Sequence, residues 1–336
     1  MSTPSTCRRT SLVVVALALA GCRDDSTGVP SSLASRFAAD DAQFSDDDAP
    51  QYSDWSEPVN LSSVVNSPSA DIEVSISKDG LSLHFASNRP GGFGRQDIWV
   101  SRRASTNDPW GPPRNLGPTI NTAFDDRTPM ITVDGHRMYF SSDRPGGLGG
   151  TDTYVSGRRD ERDDLAWQAP ENLGSGVNTS FNENLPFYFD DDATGAVLYF
   201  NSNRPAGAPG TGMTDIYASA RQPDESFGPA VLVPELNSPL RDAGMAIRRD
   251  GLELILASDR AGTFGVFDLW VSTRASTLDP WSTPVNLGST VNSAAGEARL
   301  SLSFDGTTLY ISGDRAGGVG VQDLWVSTRS KLKGPD

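Results

Sequence analysis

The feature that most restricts the fold of this chain is a segment that recurs five times. In each copy, a serine and an asparagine or aspartate precede an arginine, a glycine-rich stretch follows, and an aspartate then opens a short apolar run. The copies read SNRPGGFGRQDIWVS from 87, SDRPGGLGGTDTYVS from 142, SNRPAGAPGTGMTDIYAS from 202, SDRAGTFGVFDLWVS from 258 and SGDRAGGVGVQDLWVS from 312. A repeat of this period indicates similar units stacked side by side.

Each unit contains the signals of four short strands. An aromatic residue and a proline precede the first strand, and an asparagine follows it; the asparagines are Asn66, Asn121, Asn178, Asn237 and Asn292. Asp-Gly pairs at 79–80, 134–135, 250–251 and 305–306 separate strand-like runs, which is typical of hairpins. The third unit has the longer DDDATG at 190–195. The runs after these turns are apolar on both faces, so we expect sheets that are covered on both sides.

Four strands per unit predict a β-propeller in which each unit is one blade. The chain starts with an unpaired aromatic-proline strand and ends with three strands that lack one. We therefore predict an all-β fold, a single five-bladed propeller of four-stranded blades over residues 52–330, in which the N-terminal strand completes the last blade. Residues 331–336 form a C-terminal tail.

The order of DG turn, S-[DN]-R element and D-[IL]-W strand resembles the TolB-type, WD-repeat-like propeller repeats of bacterial envelope proteins. The resemblance covers residues 52–330 and implies the propeller fold. It does not extend to the additional N-terminal domain of TolB, so the role of TolB is not implied. Fold alone does not define a function, because propellers carry many activities.

The N-terminal segment predicts export. Arg8 and Arg9 precede an apolar stretch from 12 to 20, and LAGC at 19–22 resembles a bacterial lipobox. We expect residues 1–21 to be a lipoprotein signal peptide, Cys22 to carry the lipid, and residues 22–51 to be an acidic flexible tether. An ordinary cleaved signal is the alternative. Arg23 favours the outer membrane of the bacterial cell envelope, with membrane contact through the lipid alone.

The charge of the chain restricts its partners. The formal net charge is −15, which argues against nucleic acid as a partner. We expect a monomer that binds an envelope protein or a polysaccharide. Cys7 leaves with the signal peptide, so no disulfide is expected.

Two sets of repeated charged residues are candidates for structural or binding roles. The first set pairs the arginine of each S-[DN]-R element with the aspartate that follows the glycines, as a structural contact in each blade. Its members are Arg89 and Asp97, Arg144 and Asp152, Arg204 and Asp215, Arg260 and Asp268, and Arg315 and Asp323. Loop amides are the alternative partners of these aspartates.

The second set is a carboxylate five residues after each repeated asparagine. Its members are Asp71, Asp126, Glu183, Asp242 and Glu297. We expect these acids to converge near one mouth of the central channel, where they form a candidate ligand or cation site with Ca²⁺ as the possible ion. The alternative is a scaffold role in which each acid caps nearby amides.

The predicted function is a non-catalytic binding or scaffolding module for a protein or an envelope polymer. The alternative is a glycoside hydrolase or a lectin-like carbohydrate binder that uses the central-channel face. Glycosidic cleavage requires two carboxylates in different environments, and the repeated acids look alike, so the sequence singles out no catalytic residue. With only His84 and His136, a histidine-based triad or zinc site has few ligands available.

Overall fold

The computed structural model describes residues 50–191, 195–205 and 213–332. Within these ranges, twenty strands and one short helix form five four-stranded antiparallel sheets arranged as a five-bladed propeller. The prediction of an all-β, five-bladed propeller is confirmed. The signal peptide, Cys22 and the tether up to residue 49 lie outside the described residues. No helix within those ranges is long and apolar enough to cross a membrane.

The strands follow the repeat. In the first blade they are β2 (Asp71–Ile76), β3 (Ser82–Ser87), β4 (Asp97–Arg102) and β5 (Arg114–Asn115). The second blade contains β6 (Asp126–Ile131), β7 (Arg137–Ser142), β8 (Asp152–Gly157) and β9 (Glu171–Asn172), and the third contains β10 (Glu183–Asp191), β11 (Gly195–Ser202), β12 (Asp215–Ala220) and β13 (Val231–Leu232). The fourth contains β14 (Asp242–Ile247), β15 (Glu253–Ser258), β16 (Asp268–Thr273) and β17 (Val285–Asn286).

The last blade closes the ring. It is built from β18 (Glu297–Leu302), β19 (Thr308–Gly313), β20 (Asp323–Thr328) and the N-terminal strand β1 (Val59–Asn60), which pairs with β20. The single helix α1 (Ser62–Val65) follows β1. Asn66 then bonds both ways to the backbone of Leu324, accepting from its amide at 2.9 Å and donating to its carbonyl at 3.0 Å. The closure by the N-terminal strand agrees with the sequence prediction.

The core lies between neighbouring blades. Strands β3 and β15 are buried along their whole length, as expected for sheets covered on both faces. The apolar clusters between blades combine residues from adjacent sheets; for example, Tyr139 of the second blade stacks on Tyr188 of the third with ring centroids 5.1 Å apart. The innermost strands β2, β6, β10, β14 and β18 run side by side around the channel and fix the position of every residue that lines it.

An arginine after the third strand secures the turn end of four blades. Arg103 donates from Nε to the Gly80 carbonyl at 2.8 Å, and its guanidinium lies 4.3 Å from the ring centroid of Trp110. The corresponding pairs are Arg158 with Trp167, Arg274 with Trp281 and Arg329 with Trp55. These contacts explain why an aromatic residue precedes each proline, and they define the end of the channel opposite to the glycine-rich loops.

Candidate functional site at the channel mouth

The five repeated acids before the innermost strands are buried inside their own blades. Each is fully buried and is paired with the arginine of its own S-[DN]-R element. The pairs are Asp71 with Arg89, Asp126 with Arg144 at 2.6 Å, Glu183 with Arg204 at 3.1 Å, Asp242 with Arg260 at 2.6 Å and Glu297 with Arg315 at 3.4 Å. The structure does not bring these carboxylates together at the channel mouth, and their contacts fit the scaffold alternative.

This pairing also corrects the first set. Arg89 bonds Asp71 and not Asp97, and the same change applies to the other arginines of the set. Asp97 instead accepts from the amides of Phe93 at 2.6 Å and Gly94 at 2.9 Å, and from Asn115 at 2.7 Å. Asp152, Asp268 and Asp323 bind their own loops in the same way. The aspartate therefore binds the amides of its own glycine-rich loop. These amides were the alternative partners expected from the sequence.

The calcium site stays a prediction. Over the described ranges, no group of three or more histidine, cysteine, aspartate and glutamate side chains is arranged to hold a metal ion.

The channel is narrowed by one bulge in each innermost strand. The strand register shifts at the third or fourth residue in every blade. The residues at the bulges, which we call the girdle, are Glu73, Thr128, Leu185, Gly244 and Arg299. The four that are not glycine have positive φ values of 62°, 57°, 53° and 54° in that order. Bulges with such φ values are frequent beside functional sites.

Contacts at the girdle join each blade to the next. Glu73 accepts from the Thr128 amide at 2.9 Å and pairs with Arg299 Nε at 2.9 Å. Gly244 lies close to both neighbouring blades, because a Cβ there would lie 3.3 Å from the Cα of Arg299 and 3.8 Å from Leu185. Beside the girdle, Arg127 donates to the Asn184 side chain at 3.2 Å. The girdle is thus a closed ring of contacts.

An acidic pair lies on the mouth side of the girdle, where β6 begins. Asp125 and Asp143 both contact Nη2 of Arg95, the former at 3.0 Å. The Asp125 amide also donates to Asp143 Oδ1 at 2.8 Å. The two side chains retain 22% and 24% of their exposure, so a ligand at the mouth can reach both of them. We call Arg95, Asp125, Asp143, Arg127 and Asn184 the mouth site.

The two acids of the pair have different electrostatic surroundings. Burial raises the pKa of Asp125, Arg95 and Arg127 lower it, and the negative charges of Asp143 and Glu73 raise it again; the balance is a raised pKa. A carboxyl group with a raised pKa keeps its proton to a higher pH than an ordinary aspartate does. The Nε atom of Arg127 is buried and has no hydrogen-bond partner within the described ranges. The mouth therefore offers two ion-paired carboxylates, one of which has a raised pKa.

The sequence analysis missed the mouth site. The sequence analysis selected residues that recur in every repeat. The mouth residues instead occupy positions that differ between repeats that otherwise agree. The residue before each buried acid is Ala70, Asp125, Asn182, Arg241 or Gly296, and the second residue after each buried acid is a girdle residue. A position that changes among equivalent blades is not needed by all of them, so it is free to carry chemistry in one of them.

No family model matches the chain, and no curated protein matches it. The resemblance to TolB-type repeats therefore stays a prediction.

Solved structures that are similar in fold to this chain include glycoside hydrolases. The catalytic domain of a GH62 α-L-arabinofuranosidase from Coprinopsis cinerea is 14% identical with a TM-score of 0.52, covering 84% of this chain and 98% of that one. A thermostable family-43 glycoside hydrolase is 11% identical with a TM-score of 0.55, covering 82% and 93%. An exo-β-1,3-galactanase from Phanerochaete chrysosporium, solved with galactose, is 12% identical with a TM-score of 0.51, covering 82% and 64%. At these identities the likeness concerns the fold.

The expectation of a non-catalytic binding or scaffolding module is wrong. It is overturned by these neighbours, which are carbohydrate-cleaving enzymes on the same five-bladed frame. The comparisons favour the alternative, a glycoside hydrolase or carbohydrate binder at the central-channel face. The sequence analysis singled out no catalytic residue because the repeated acids look alike. This objection does not apply to Asp125 and Asp143, which occupy different positions of the repeat.

Proposed function

We propose that this propeller binds a polysaccharide at the channel mouth and hydrolyses a glycosidic bond there. The observation that carries the proposal is the pair Asp125 and Asp143, two reachable carboxylates held by one guanidinium in different electrostatic surroundings. Because both contact the same nitrogen within 3.0 Å, their nearest oxygens lie at most about 6 Å apart. This bound excludes the roughly 6.5 to 9.5 Å of an inverting hydrolase and is compatible with the retaining geometry, in which the two carboxyl groups lie roughly 5 to 5.5 Å apart.

The roles follow from the charges. Asp125, whose pKa is raised, donates a proton to the glycosidic oxygen, and the bond to the departing sugar breaks. Asp143 is the partner carboxylate: it attacks the anomeric carbon as that bond breaks, and a water molecule that gives its proton to Asp125 then displaces Asp143 from the sugar. Arg95 is 62% exposed on its loop, so it can move aside when a sugar enters between the acids.

The remaining residues of the mouth orient the substrate. Arg127 and Asn184 offer hydrogen-bond donors and an acceptor at the level of the girdle, which suits sugar hydroxyls. Glu73 is a positioning residue: its side chain is 1% exposed, and it holds Arg299 and adds negative charge near Asp125. The structural neighbours act on arabinosyl and galactosyl linkages by name, so these sugars are the first substrates to test.

The test is hydrolysis of aryl α-L-arabinofuranoside and aryl β-galactoside, and of arabinan and β-1,3-galactan. We expect turnover of at least one substrate, and Asp125→Asn and Asp143→Asn should each lower kcat by about 10²- to 10⁴-fold. Asp259→Asn is the matched control. Asp259 occupies the register of Asp143 in the fourth blade, but its neighbour there is Arg241 and not an acid.

Each outcome discriminates between two functions. Turnover that is lost in both aspartate variants and kept in Asp259→Asn supports the hydrolase. Saturable binding of a polysaccharide without release of sugar would replace it with a lectin-like binder. Absence of both binding and turnover on every substrate would refute a carbohydrate function.

We also propose that Cys22 anchors the propeller to a bacterial membrane through its lipid. The support is the apolar stretch that ends at the LAGC sequence. Cys22→Ser should move the protein from the membrane fraction to the soluble fraction of the cells that express it. A membrane-bound Cys22→Ser protein would contradict the anchor.

A further inference from the structure

Exposed apolar side chains surround the mouth at two repeated positions. The first position is the tip of the glycine-rich loop, with Phe93, Leu148, Phe264 and Val319 exposed by 50%, 51%, 55% and 39%. The second is the residue two before each buried acid, where Phe124, Phe181 and Leu240 are exposed by 37%, 38% and 46%. All of these lie at the mouth end, because the glycine-rich loop joins the second strand of a blade to the third at the end where the innermost strand begins.

The two positions meet between blades. Gly94, next to Phe93, approaches the second blade so closely that a Cβ would lie 2.0 Å from the Phe124 carbonyl oxygen. Gly149, next to Leu148, approaches the Phe181 carbonyl oxygen equally closely. Phe93 and Phe124, and Leu148 and Phe181, therefore lie on segments that meet, one at the boundary of the first and second blades and one at the boundary of the second and third.

Only the arc that carries the mouth site has aromatic residues at the second position. Phe124 directly precedes Asp125, and Phe181 precedes Asn182. In the first and fifth blades the same position holds Ser69 and Ala295, and in the fourth it holds the aliphatic Leu240. The acidic pair is thus flanked on both sides by an exposed phenylalanine.

We propose that the substrate is a neutral polysaccharide that lies across the mouth from the first to the third blade, with sugar faces stacked on Phe93, Phe124 and Phe181. This inference rests on the proposed function and adds to it the class of substrate and the residues that select for chain length. A sugar ring has an apolar face of C–H groups and a rim of hydroxyls, which matches phenylalanines that alternate with Asp125, Arg127 and Asn184. The net charge of −15 disfavours a polyanionic chain.

The test compares ligands of different length. Affinities of Asp125→Asn protein for arabinan and β-1,3-galactan oligosaccharides of two to eight units are measured by calorimetry, with Phe93→Ala, Phe124→Ala and Phe181→Ala added singly. We expect affinity to rise with length, and each added substitution to weaken binding of the longest oligosaccharide by about 3- to 10-fold. Hydrolysis of the aryl glycosides by Phe264→Ala, which lies outside the proposed binding surface, should be unchanged.

Phe264→Ala is the matched control, because Phe264 has the register and exposure of Phe93 but lies in the fourth blade. Equal losses of oligosaccharide affinity in Phe93→Ala and Phe264→Ala, or affinity that does not rise with oligosaccharide length, would overturn this inference. Turnover of the aryl glycosides would still support the proposed hydrolase in that case. If no oligosaccharide binds and no aryl glycoside is cleaved, both proposals fail. Binding of vesicles of neutral lipid that requires Phe93 and Phe264 alike would assign the apolar ring to a membrane surface and would also overturn it.

Discussion

At the scale of single residues, the protonation of Asp125 depends on four neighbouring charges. Two of them, Arg95 and Glu73, act in opposite directions on its pKa. Arg95 is an exposed loop residue, whereas Glu73 is buried in the girdle. The two charges can therefore be removed by separate substitutions, and the resulting shifts in the pKa of Asp125 should have opposite signs.

We predict opposite shifts of the pH profile in two variants. Activity that needs protonated Asp125 is lost as pH rises through the pKa of this group. Arg95→Met removes a positive charge, raises that pKa further and moves the alkaline limb of kcat/KM to higher pH. Glu73→Gln removes a negative charge and moves the limb to lower pH. Carbon-detected NMR titration of the Asp125 carboxyl group gives the same signs without substrate, and shifts of equal sign would contradict the assignment.

His84 is a second residue whose surroundings set its charge. It is fully buried between the first and second blades, 3.6 Å from Asp164, and neither ring nitrogen has a hydrogen-bond partner within the described ranges. Burial is the main cause that lowers the pKa of His84 to about 4, and Asp164 acts against it. The folded protein therefore keeps this imidazole neutral at pH values where the unfolded chain would protonate it.

We predict that His84 makes stability depend on pH. The unfolded histidine titrates near 6.5 and the folded one near 4, so its contribution is complete above pH 6.5 and is lost as pH falls through that interval, by roughly 3 kcal/mol in total. Urea unfolding between pH 7 and 4.5 should show this slope, and His84→Leu should reduce it. His136→Gln, at an exposed histidine, is the control that should leave the slope unchanged.

The sequence could not identify the mouth residues for a physical reason. Asp125 stands beside the repeated Asp126, and nothing in their order along the chain says which carboxylate is buried. Glu73 lies in a strand pattern that reads as alternating, and only the bulge turns its side chain toward Arg299 of another blade. The repeated acids could be identified because they recur in every blade. Residues that recur in this way serve the scaffold of each blade, so a search for recurrence finds scaffold residues and not the mouth site.

At the scale of the blade, one ion pair ties the innermost strand to the loop after the second strand. Asp242 illustrates this contact: it accepts from Arg260 at 2.6 Å, from the Ser258 hydroxyl at 2.6 Å and from the Ser238 amide at 2.5 Å. Arg260 in turn donates to the Leu236 carbonyl at 2.6 Å. The loop before β14 and the end of β15 are thereby fixed together.

We predict that Asp242→Asn destabilises the propeller by about 3 to 5 kcal/mol, because it leaves a buried arginine without its carboxylate. The free energy of unfolding in urea measures the effect. Asp314→Asn is the matched control and should change stability by less than about 0.5 kcal/mol. Asp314 accepts the Gly296 amide at 2.8 Å, and the first and third blades carry asparagine at that register. An equal loss in both variants would show that the ion pair has no special weight.

The strands were predictable from the sequence, and their side-chain partners were not. Alternating apolar runs and Asp-Gly turns determine the strands locally. Arg89 lies eight positions before Asp97 and eighteen after Asp71, yet it pairs with the more distant residue. That choice depends on the curvature of the loop after β3, which the spacing along the chain does not reveal.

At the scale of the whole molecule, one short strand closes the ring. Trp55 is 9% exposed and packs in an apolar cluster with residues of the fourth and fifth blades. Nearby, β1 pairs with β20 at Val59 and Asn60. Closure therefore joins residues from opposite ends of the propeller, and the last blade is incomplete without the first residues.

We predict that removing residues 50–61 lowers the free energy of unfolding by at least about 3 to 5 kcal/mol, the loss expected for one buried tryptophan. A synthetic peptide of residues 50–61, added in excess, should bind the open blade and restore stability by an amount that rises with the logarithm of its concentration. Unfolding midpoints in urea with and without the peptide provide the measurement. An unchanged midpoint after the truncation would show that the other three strands of that blade suffice.

The closure of the ring also determines at which end of the propeller the described chain begins and ends. Tyr52 bonds to the Asp305 carbonyl at 3.0 Å and pairs with Lys331, so the chain enters and leaves at the end that carries the Asp-Gly turns. The mouth site lies at the other end of the innermost strands. A support attached at residue 50 or at residue 332, whether a bead, a sensor chip or a display scaffold, will leave the mouth facing the solution and open to long glycans.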